Sequence, residues 1–110
     1  MKLVIIESPY KGDIERNTQY ARAAMKDSIL KGEAPIASHL LYTQPGILND
    51  SIPAERLMGI LCGLAWRKVA ELTAFYLDLG WSQGMLDARA LYDLEQHPYE
   101  MRLLGDKWAL

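Results

Sequence analysis

Polar side chains follow directly on an apolar segment at the start of the chain. Leu3 to Ile6 are all apolar, and Glu7, Ser8 and Tyr10 come immediately after them. A buried strand that turns straight into a helix places such residues at the carboxyl edge of a sheet, where open α/β sheets bind ligands. There the tyrosine ring could stack on a base, and its hydroxyl could bond a ribose or a catalytic group. The turn therefore predicts a pocket for a small molecule that carries a ribose or a phosphate.

The residues that complete this turn are candidates for the same pocket. Gly12 and Asp13 lead into the next helix, and Asn17 lies on the apolar stripe of that helix, one turn after Ile14. A structural interpretation stands beside the functional one. Tyr10 could pack on its own loop, and Asp13 could serve only as the N-cap of the helix.

A second apolar run, Leu72 to Leu77, ends in a turn of the same kind. Ser82 and Gly84 offer a hydroxyl and free backbone amides at the start of a helix, which suits an anion, although capping alone would explain the serine. Trp81 and Met85 flank these two residues. We expect the tryptophan to be a lid or interface aromatic rather than a core residue.

Two aspartates accompany this second turn. Asp78 stands where the predicted strand ends, and Asp87 lies one turn into the helix. A carboxylate pair near a pocket can divide into a nucleophile and a proton carrier, as cleavage of an N-glycosidic or O-glycosidic bond requires. Each also has a structural interpretation: Asp78 could be an ordinary turn residue, and Asp87 could be a first-turn acid that interacts with the helix dipole.

A long connection after the second predicted strand supplies the remaining candidates. His39, Tyr42 and Gln44 offer an imidazole, an aromatic face and an amide that could read a base edge or close over a ligand. We interpret His39 as a polar pocket wall or a hydrogen-bonded loop residue, with a catalytic base as the alternative. A metal site lacks ligands, because His97 is far along the chain and Cys62 is the only cysteine, which we expect to be a buried, inert thiol. We expect no metal and no cofactor.

The elements that must position these residues alternate between strand and helix. The predicted strands are 2–6, 33–38, 71–77 and 99–104, and the predicted helices are 13–31, 53–70 and 84–96. Right-handed crossovers then give an α/β fold. We expect a single small doubly wound domain over residues 1–110, with about four parallel strands flanked by three helices in a Rossmann-like or flavodoxin-like arrangement. The turns after the first and third strands would meet at a shared hollow.

The helix predicted over residues 53–70 is apolar on two sides. Asp50 or Ser51 can cap it, and Gly59 and Gly63 let another backbone come close. A helix with more apolar surface than one sheet face can cover indicates a homo-oligomer that forms through this helix.

Composition narrows the range of partners. The net charge is −2 and the 12 Lys and Arg residues are scattered, so direct binding of a nucleic-acid polymer is disfavoured. A free nucleotide stays compatible, because a helix N-terminus can hold its phosphate without a basic surface. No apolar run is long enough to cross a bilayer, and the first residues lack the pattern of a signal peptide. We therefore expect no membrane partner and a cytoplasmic location.

The two turns resemble those of the nucleoside 2-deoxyribosyltransferase-like superfamily, in particular its small phage and prophage members. The resemblance rests on Val-Ile-Ile-Glu-Ser-Pro-Tyr at residues 4–10, with Gly12 and Asn17, and on Asp-Leu-Gly-Trp-Ser-Gln-Gly-Met at residues 78–85. It implies a protein that exchanges or hydrolyses the bond between a base and a deoxyribose or ribose phosphate, with the active site buried at an oligomer interface. A phage-encoded protein of this kind would act in the host cytoplasm.

The resemblance also implies roles for single residues. Superfamily members use a glutamate nucleophile on the helix after the Gly-containing turn, assisted by an aspartate and a tyrosine from the end of the first strand. By position, Tyr10 matches the first-strand aromatic, and Asp78 matches an acid at the end of the third strand. Where the glutamate would follow a Gly-Met pair this chain has Leu86, and Asp87 comes one residue later, about 100° further round a helix.

Three functions stay open on the sequence alone. The first is a protein that binds a nucleoside or nucleotide and cleaves or transfers its N-glycosidic bond, with Asp87 as the nucleophile. The second is a non-catalytic phage protein that sequesters a nucleotide, for example a signalling nucleotide of host defence, which Leu86 at the nucleophile position favours. The third is a structural oligomer or a protein-partner module built on helix 53–70.

Overall fold

A computed structural model describes residues 1–109 of the chain. The strands are β1 (Lys2–Glu7), β2 (Glu33–Ile36), β3 (Leu72–Tyr76) and β4 (Tyr99–Arg102). The helices are α1 (Ile14–Leu30), α2 (Ser38–Leu41), α3 (Pro53–Ala65) and α4 (Gln83–Glu95), and short 3₁₀ helices are Trp66–Lys68 and Asp106–Ala109. No helix within the described part of the chain is long and apolar enough to span a membrane.

All strands of the sheet are parallel, in the order β2-β1-β3-β4. β1 is central, and its pairing with β3 places Ile6 opposite Ala74. A strand with neighbours on both edges and helices on both faces buries nearly every side chain. This explains why Val4, Ile5 and Ile6 are apolar without alternation and at most 3% exposed. The prediction of a doubly wound α/β domain with four parallel strands, Rossmann-like or flavodoxin-like, is confirmed.

Helix α1 covers one face of the sheet. Tyr20, Ala21 and Ala24 of this helix are completely buried. Trp108, from the C-terminal 3₁₀ helix, packs edge-on against Tyr20 with 4.8 Å between the ring centroids. The end of the chain therefore closes the same side of the core as α1.

Helix α4 covers the opposite face together with the end of α3. Met85, Ala88 and Tyr92 pack on Phe75 of β3. Trp81 is partly buried against this cluster, with 4.9 Å between the centroids of its ring and that of Phe75. Trp81 is therefore packed in part on the core, because the buried phenyl ring offers an apolar face that the indole covers; that it is an interface aromatic stays a prediction.

The edge strands are shorter than predicted, because the backbone that follows each strand forms other hydrogen bonds. β2 ends at Ile36 and not at residue 38, because Ser38 already begins the one-turn helix α2. β4 ends at Arg102 and not at residue 104, because the next backbone amides turn toward the carboxylate of Asp78.

Helix α3 also departs from its prediction. It ends at Ala65, where the chain tightens into a 3₁₀ turn, and not near residue 70. Its N-cap is Ile52, without a side-chain cap, since Asp50 faces Arg56 instead. Cys62 is exposed and not buried. The one buried residue of α3 is a glycine, so this helix does not place the thiol in the core.

Of the two glycines of α3, Gly63 lets another segment of the same chain come close, whereas Gly59 has only side chains at ordinary contact distance. A Cβ atom at Gly63 would lie 2.4 Å from Oγ and 2.6 Å from Cβ of Ser38 in α2. At Gly59 a Cβ atom would lie 3.4 Å from the Cδ1 atom of Leu48, which is ordinary contact. Gly63 therefore sets how closely α2 packs on α3.

We expect Gly63→Ala and Gly59→Ala to have opposite effects on stability. Alanine gains about 1 kcal/mol of helix propensity at either position. At position 63 the added methyl group must push α2 away, which costs about 1–3 kcal/mol or more. Urea unfolding should show a lower free energy of unfolding for Gly63→Ala and an equal or higher one for Gly59→Ala. Equal changes in the two variants would contradict this packing.

Candidate functional site

A cavity of about 640 Å³ opens at the carboxyl edge of the sheet. Its walls are the turn after β1, helix α2 with the loop that follows it, one side of α3 and the start of α4. The structure thus brings the first and second predicted turns together with the loop after β2. The predicted site residues that line the cavity are Glu7, Ser8, Tyr10, Gly12, His39, Tyr42, Ser82, Gly84, Met85 and Asp87.

The other predicted site residues do not line this cavity; they are Asp13, Asn17, Gln44, Asp78 and Trp81. Asp13 is the N-cap of α1 and accepts a hydrogen bond from the backbone amide of Arg16 at 3.1 Å. Gln44 borders a neighbouring depression of about 670 Å³, which shares the Tyr10 wall with the cavity.

Asn17 supports the turn after β1 from below. It is 1% exposed, and its Nδ2 atom donates to the carbonyl oxygens of Tyr10 at 2.9 Å and Lys11 at 3.2 Å. A buried amide that satisfies two turn carbonyls holds the backbone in one conformation. Asn17 therefore positions Tyr10, and it does so from outside the cavity.

Asp78 ties the C-terminal segment to the sheet. Its carboxylate accepts from the backbone amides of Leu104 at 2.8 Å and Gly105 at 2.9 Å, and from the hydroxyl of Tyr20. Although burial raises the pKa of Asp78, the hydrogen bonds from Tyr20 and these two amides hold it below its ordinary value. A carboxylate held ionised by fixed donors outside the cavity does not fit the predicted role of proton carrier.

Ser8 and His39 form a neutral hydrogen-bonded pair in the cavity wall. Ser8 Oγ lies 2.7 Å from His39 Nε2, and the ring of Tyr10 stands edge-on to the imidazole, with 6.4 Å between the ring centroids. Burial lowers the pKa of His39 to about 4, so the imidazole is uncharged at neutral pH. The pair can both donate and accept hydrogen bonds, as a sugar hydroxyl requires.

Glu7 is the cavity acid with the most unusual environment. It is the last residue of β1, and one of its carboxyl oxygens accepts from the hydroxyl of Tyr92 at 3.2 Å. Burial raises the pKa of Glu7 from 4.5 to about 7, against the lowering effect of that hydrogen bond. Near neutral pH this carboxyl group can therefore either hold or release a proton, which suits a general acid.

Asp87 supplies a second carboxylate from the start of α4. Ser82 is the N-cap of this helix, as predicted: its Oγ accepts from the backbone amide of Met85 at 3.2 Å. Asp87 Oδ1 accepts from Nε2 of Gln83 at 2.9 Å. Leu86, at the position of the expected nucleophile, does not line the cavity and is 42% exposed. The helix thus turns Asp87, and not Leu86, toward the cavity.

One wall of the cavity could not be identified from local sequence. Glu55, Arg56, Gly59 and Ile60 of α3 line it, and they do so because α2 packs closely on α3. The sequence marks α3 only as a helix that is apolar on two sides, without indicating which side faces the sheet edge.

The cavity offers acids, hydroxyls, an aromatic ring and a neutral imidazole. Within residues 1–109 no group of three or more His, Cys, Asp or Glu side chains could hold a metal ion. Two carboxyl groups in different settings are the arrangement used to break glycosidic bonds, where one protonates the leaving group and the other attacks or stabilises the sugar carbon.

The family described as Domain of unknown function (DUF7768) matches residues 2–102. This span runs from the first residue of β1 to the last residue of β4, so it contains the whole sheet and the whole cavity. No curated protein and no solved structure matches the chain.

The raised pKa of Glu7 predicts a pH-dependent cost to stability. Below about pH 4.5 the carboxyl group is protonated in both states, and between pH 4.5 and 7 it ionises only in the unfolded state, so the free energy of unfolding falls as pH rises. Glutamine mimics the protonated acid. Glu7→Gln should therefore match the parent near pH 4 and exceed it by up to about 3 kcal/mol at pH 8.

Urea unfolding at several pH values measures this difference. Parent and variant are compared at each pH, because His39, whose pKa is lowered by burial, gives the parent an opposite slope between about pH 4 and 6.5. A difference between variant and parent that stays constant with pH would contradict the raised pKa of Glu7.

Proposed function

We propose that this chain, which belongs to the family described as Domain of unknown function (DUF7768), binds a nucleoside or nucleotide in the cavity and cleaves or transfers its N-glycosidic bond. The observation that carries the proposal is the presence of Glu7 and Asp87 in one cavity, in two different environments. Environments that separate the protonation states of two acids are how one site runs acid and base chemistry together.

The two acids have complementary tasks in this proposal. The base leaves as the bond to the sugar breaks, and the protonated carboxyl group of Glu7 supplies the proton that the base takes up. The sugar carbon becomes electron-poor at the same time. The carboxylate of Asp87 either attacks it, to form a glycosyl ester that water or a second base then displaces, or stabilises its charge while water attacks. Asp87 lies one turn into α4, beyond its first turn, on the side of the helix that lines the cavity.

The other walls suit the remaining parts of such a ligand. Tyr10 offers a ring face for a base. The Ser8–His39 pair offers neutral donors and acceptors for sugar hydroxyl groups. A volume of about 640 Å³ lies within the range of ordinary small-molecule sites, and a nucleoside is a small molecule of this class.

Release of free base is the direct test of this function. The protein is incubated with 2′-deoxynucleosides, ribonucleosides and their 5′-monophosphates, and free base is measured by liquid chromatography. We expect free base to be released from at least one compound. The rate of release should fall as pH rises above 7, and it should be about a hundredfold lower in Asp87→Asn and in Glu7→Gln than in the parent.

Asp93→Asn is the matched control, because Asp93 lies on the same helix but accepts from the hydroxyl of Tyr99 outside the cavity. It should keep the parent rate. Binding with the ligand recovered unchanged would contradict the bond cleavage and support the non-catalytic, sequestering function. Neither binding nor release over the whole panel would remove the nucleoside assignment.

We also propose that the protein forms a homo-oligomer through α3. Leu57, Met58 and Leu61 are each more than half exposed, and these residues lie on consecutive turns of one helix. Monomeric proteins seldom leave such a contiguous apolar surface in water. The same helix lines the cavity, so a second copy on α3 would lie beside the site.

Leu61→Glu should convert the oligomer to a monomer, because a buried, unpaired carboxylate is costly at an apolar interface. Leu94→Glu is the control: Leu94 is 81% exposed and lies on α4, outside the apolar surface of α3. Sedimentation velocity measures the two masses. A parent protein that is monomeric at tens of micromolar, or a Leu61→Glu oligomer, would contradict the interface.

A further inference from the structure

We propose that the cavity discriminates against phosphate, and that Glu55 on α3 is a residue that determines this specificity. The inference rests on the proposed function and deepens it, since it selects among its ligands those without a phosphate group.

Acidic groups outnumber basic ones in the cavity wall. The acids are Glu7, Asp50, Glu55 and Asp87, and the bases are Lys11 and Arg56. Arg56 already forms an ion pair within the wall, since its Nε atom lies 3.8 Å from Oδ1 of Asp50. A phosphate would therefore meet the carboxylates of Glu55 and Asp87 and one lysine, beside Glu7, whose raised pKa leaves it partly protonated near neutral pH. Like charges at close range weaken a specific complex.

Two polar side chains at the start of α4 are already used in hydrogen bonds within the helix. The hydroxyl of Ser82 is used by the backbone amide of Met85, and the side chain of Gln83 donates to Asp87. Asp87, one turn further along this helix, brings a carboxylate to the same wall of the cavity. The sequence-based prediction of an anion at this turn took no account of that carboxylate.

The Ser8–His39 pair offers no charge to a phosphate either. The imidazole of His39 is partly buried and neutral at pH 7, because desolvation lowers its pKa to about 4. A neutral hydroxyl–imidazole pair suits a sugar hydroxyl, whereas phosphate sites usually contain Arg, Lys or several free backbone amides.

Among the four acids of the cavity wall, Glu55 has no role in the proposed reaction and, in the described part of the chain, no arginine partner. Its Oε1 atom accepts from the backbone amide of Asn49 at 3.2 Å, which fixes the carboxylate at the rim of the cavity. Within residues 1–109 it takes part in no ion pair. Its charge therefore stays available to repel an anionic ligand.

Calorimetric titration of matched ligand pairs tests this inference. The ligands are the 2′-deoxynucleosides and their own 5′-monophosphates, at low ionic strength and pH 7.5, with Asp87→Asn added where the parent turns the ligand over. We expect the nucleoside to bind at least about tenfold more tightly than its monophosphate. Added salt should narrow that ratio, because it screens exposed charges.

Glu55→Gln should raise the affinity for the monophosphate about tenfold and change that for the nucleoside by less than about twofold. The glutamine keeps an oxygen for the amide of Asn49, so the loop contact is preserved. Glu71→Gln is the control, because Glu71 is exposed before β3 and outside the cavity. It should change neither affinity.

The outcomes separate this inference from the function on which it rests. A monophosphate that binds as tightly as its nucleoside would overturn the discrimination, while the nucleotide-binding function would stand. An unchanged monophosphate affinity in Glu55→Gln would overturn the role of Glu55. If no member of any pair binds, the proposed function fails and the inference fails with it.

Discussion

The central position of β1 in the sheet is the constraint on which the site depends. Because β1 pairs with β2 on one edge and β3 on the other, and all strands are parallel, the chain segments that follow these three strands begin at the same edge. The apolar run that fills β1 must end where its carboxyl edge meets the cavity. Glu7 lies at that point. Burial there removes water from its carboxyl group and raises the pKa, and the group accepts a hydrogen bond from Tyr92.

Residues outside the cavity hold this arrangement in place. Asn17 fixes the turn that carries Tyr10, Asp78 attaches the C-terminal segment to the end of β3, and Gly63 lets α2 close the remaining side. Buried polar groups with complete hydrogen-bond sets define one conformation more sharply than apolar packing does. Their chemistry is therefore structural, while the groups left for a ligand are the acids, the hydroxyl groups and the imidazole of the cavity wall.

The sequence predicted the sheet and part of the site because both depend on local pattern. Continuous apolar residues identified β1 and β3, and the segments that follow parallel strands must begin at the carboxyl edge of the sheet, so Ser8, His39 and Asp87 were found. Long-range contacts were not visible. From the sequence Asp78 resembled a site acid. In the structure its carboxylate instead accepts hydrogen bonds from backbone amides that lie 26 and 27 residues further along the chain. The raised pKa of Glu7 depends on burial against elements distant in sequence, including a tyrosine 85 residues away.

A nuclear magnetic resonance titration of the labelled protein with 2′-deoxynucleosides tests the central claim most directly, since it reports where a ligand sits whether or not it is cleaved. The account predicts that backbone amides of the turn after β1, of α2 and of the start of α4 shift together and saturate at one ligand concentration. Shifts confined to other surfaces, or no shifts with any nucleoside at millimolar concentration, would contradict it.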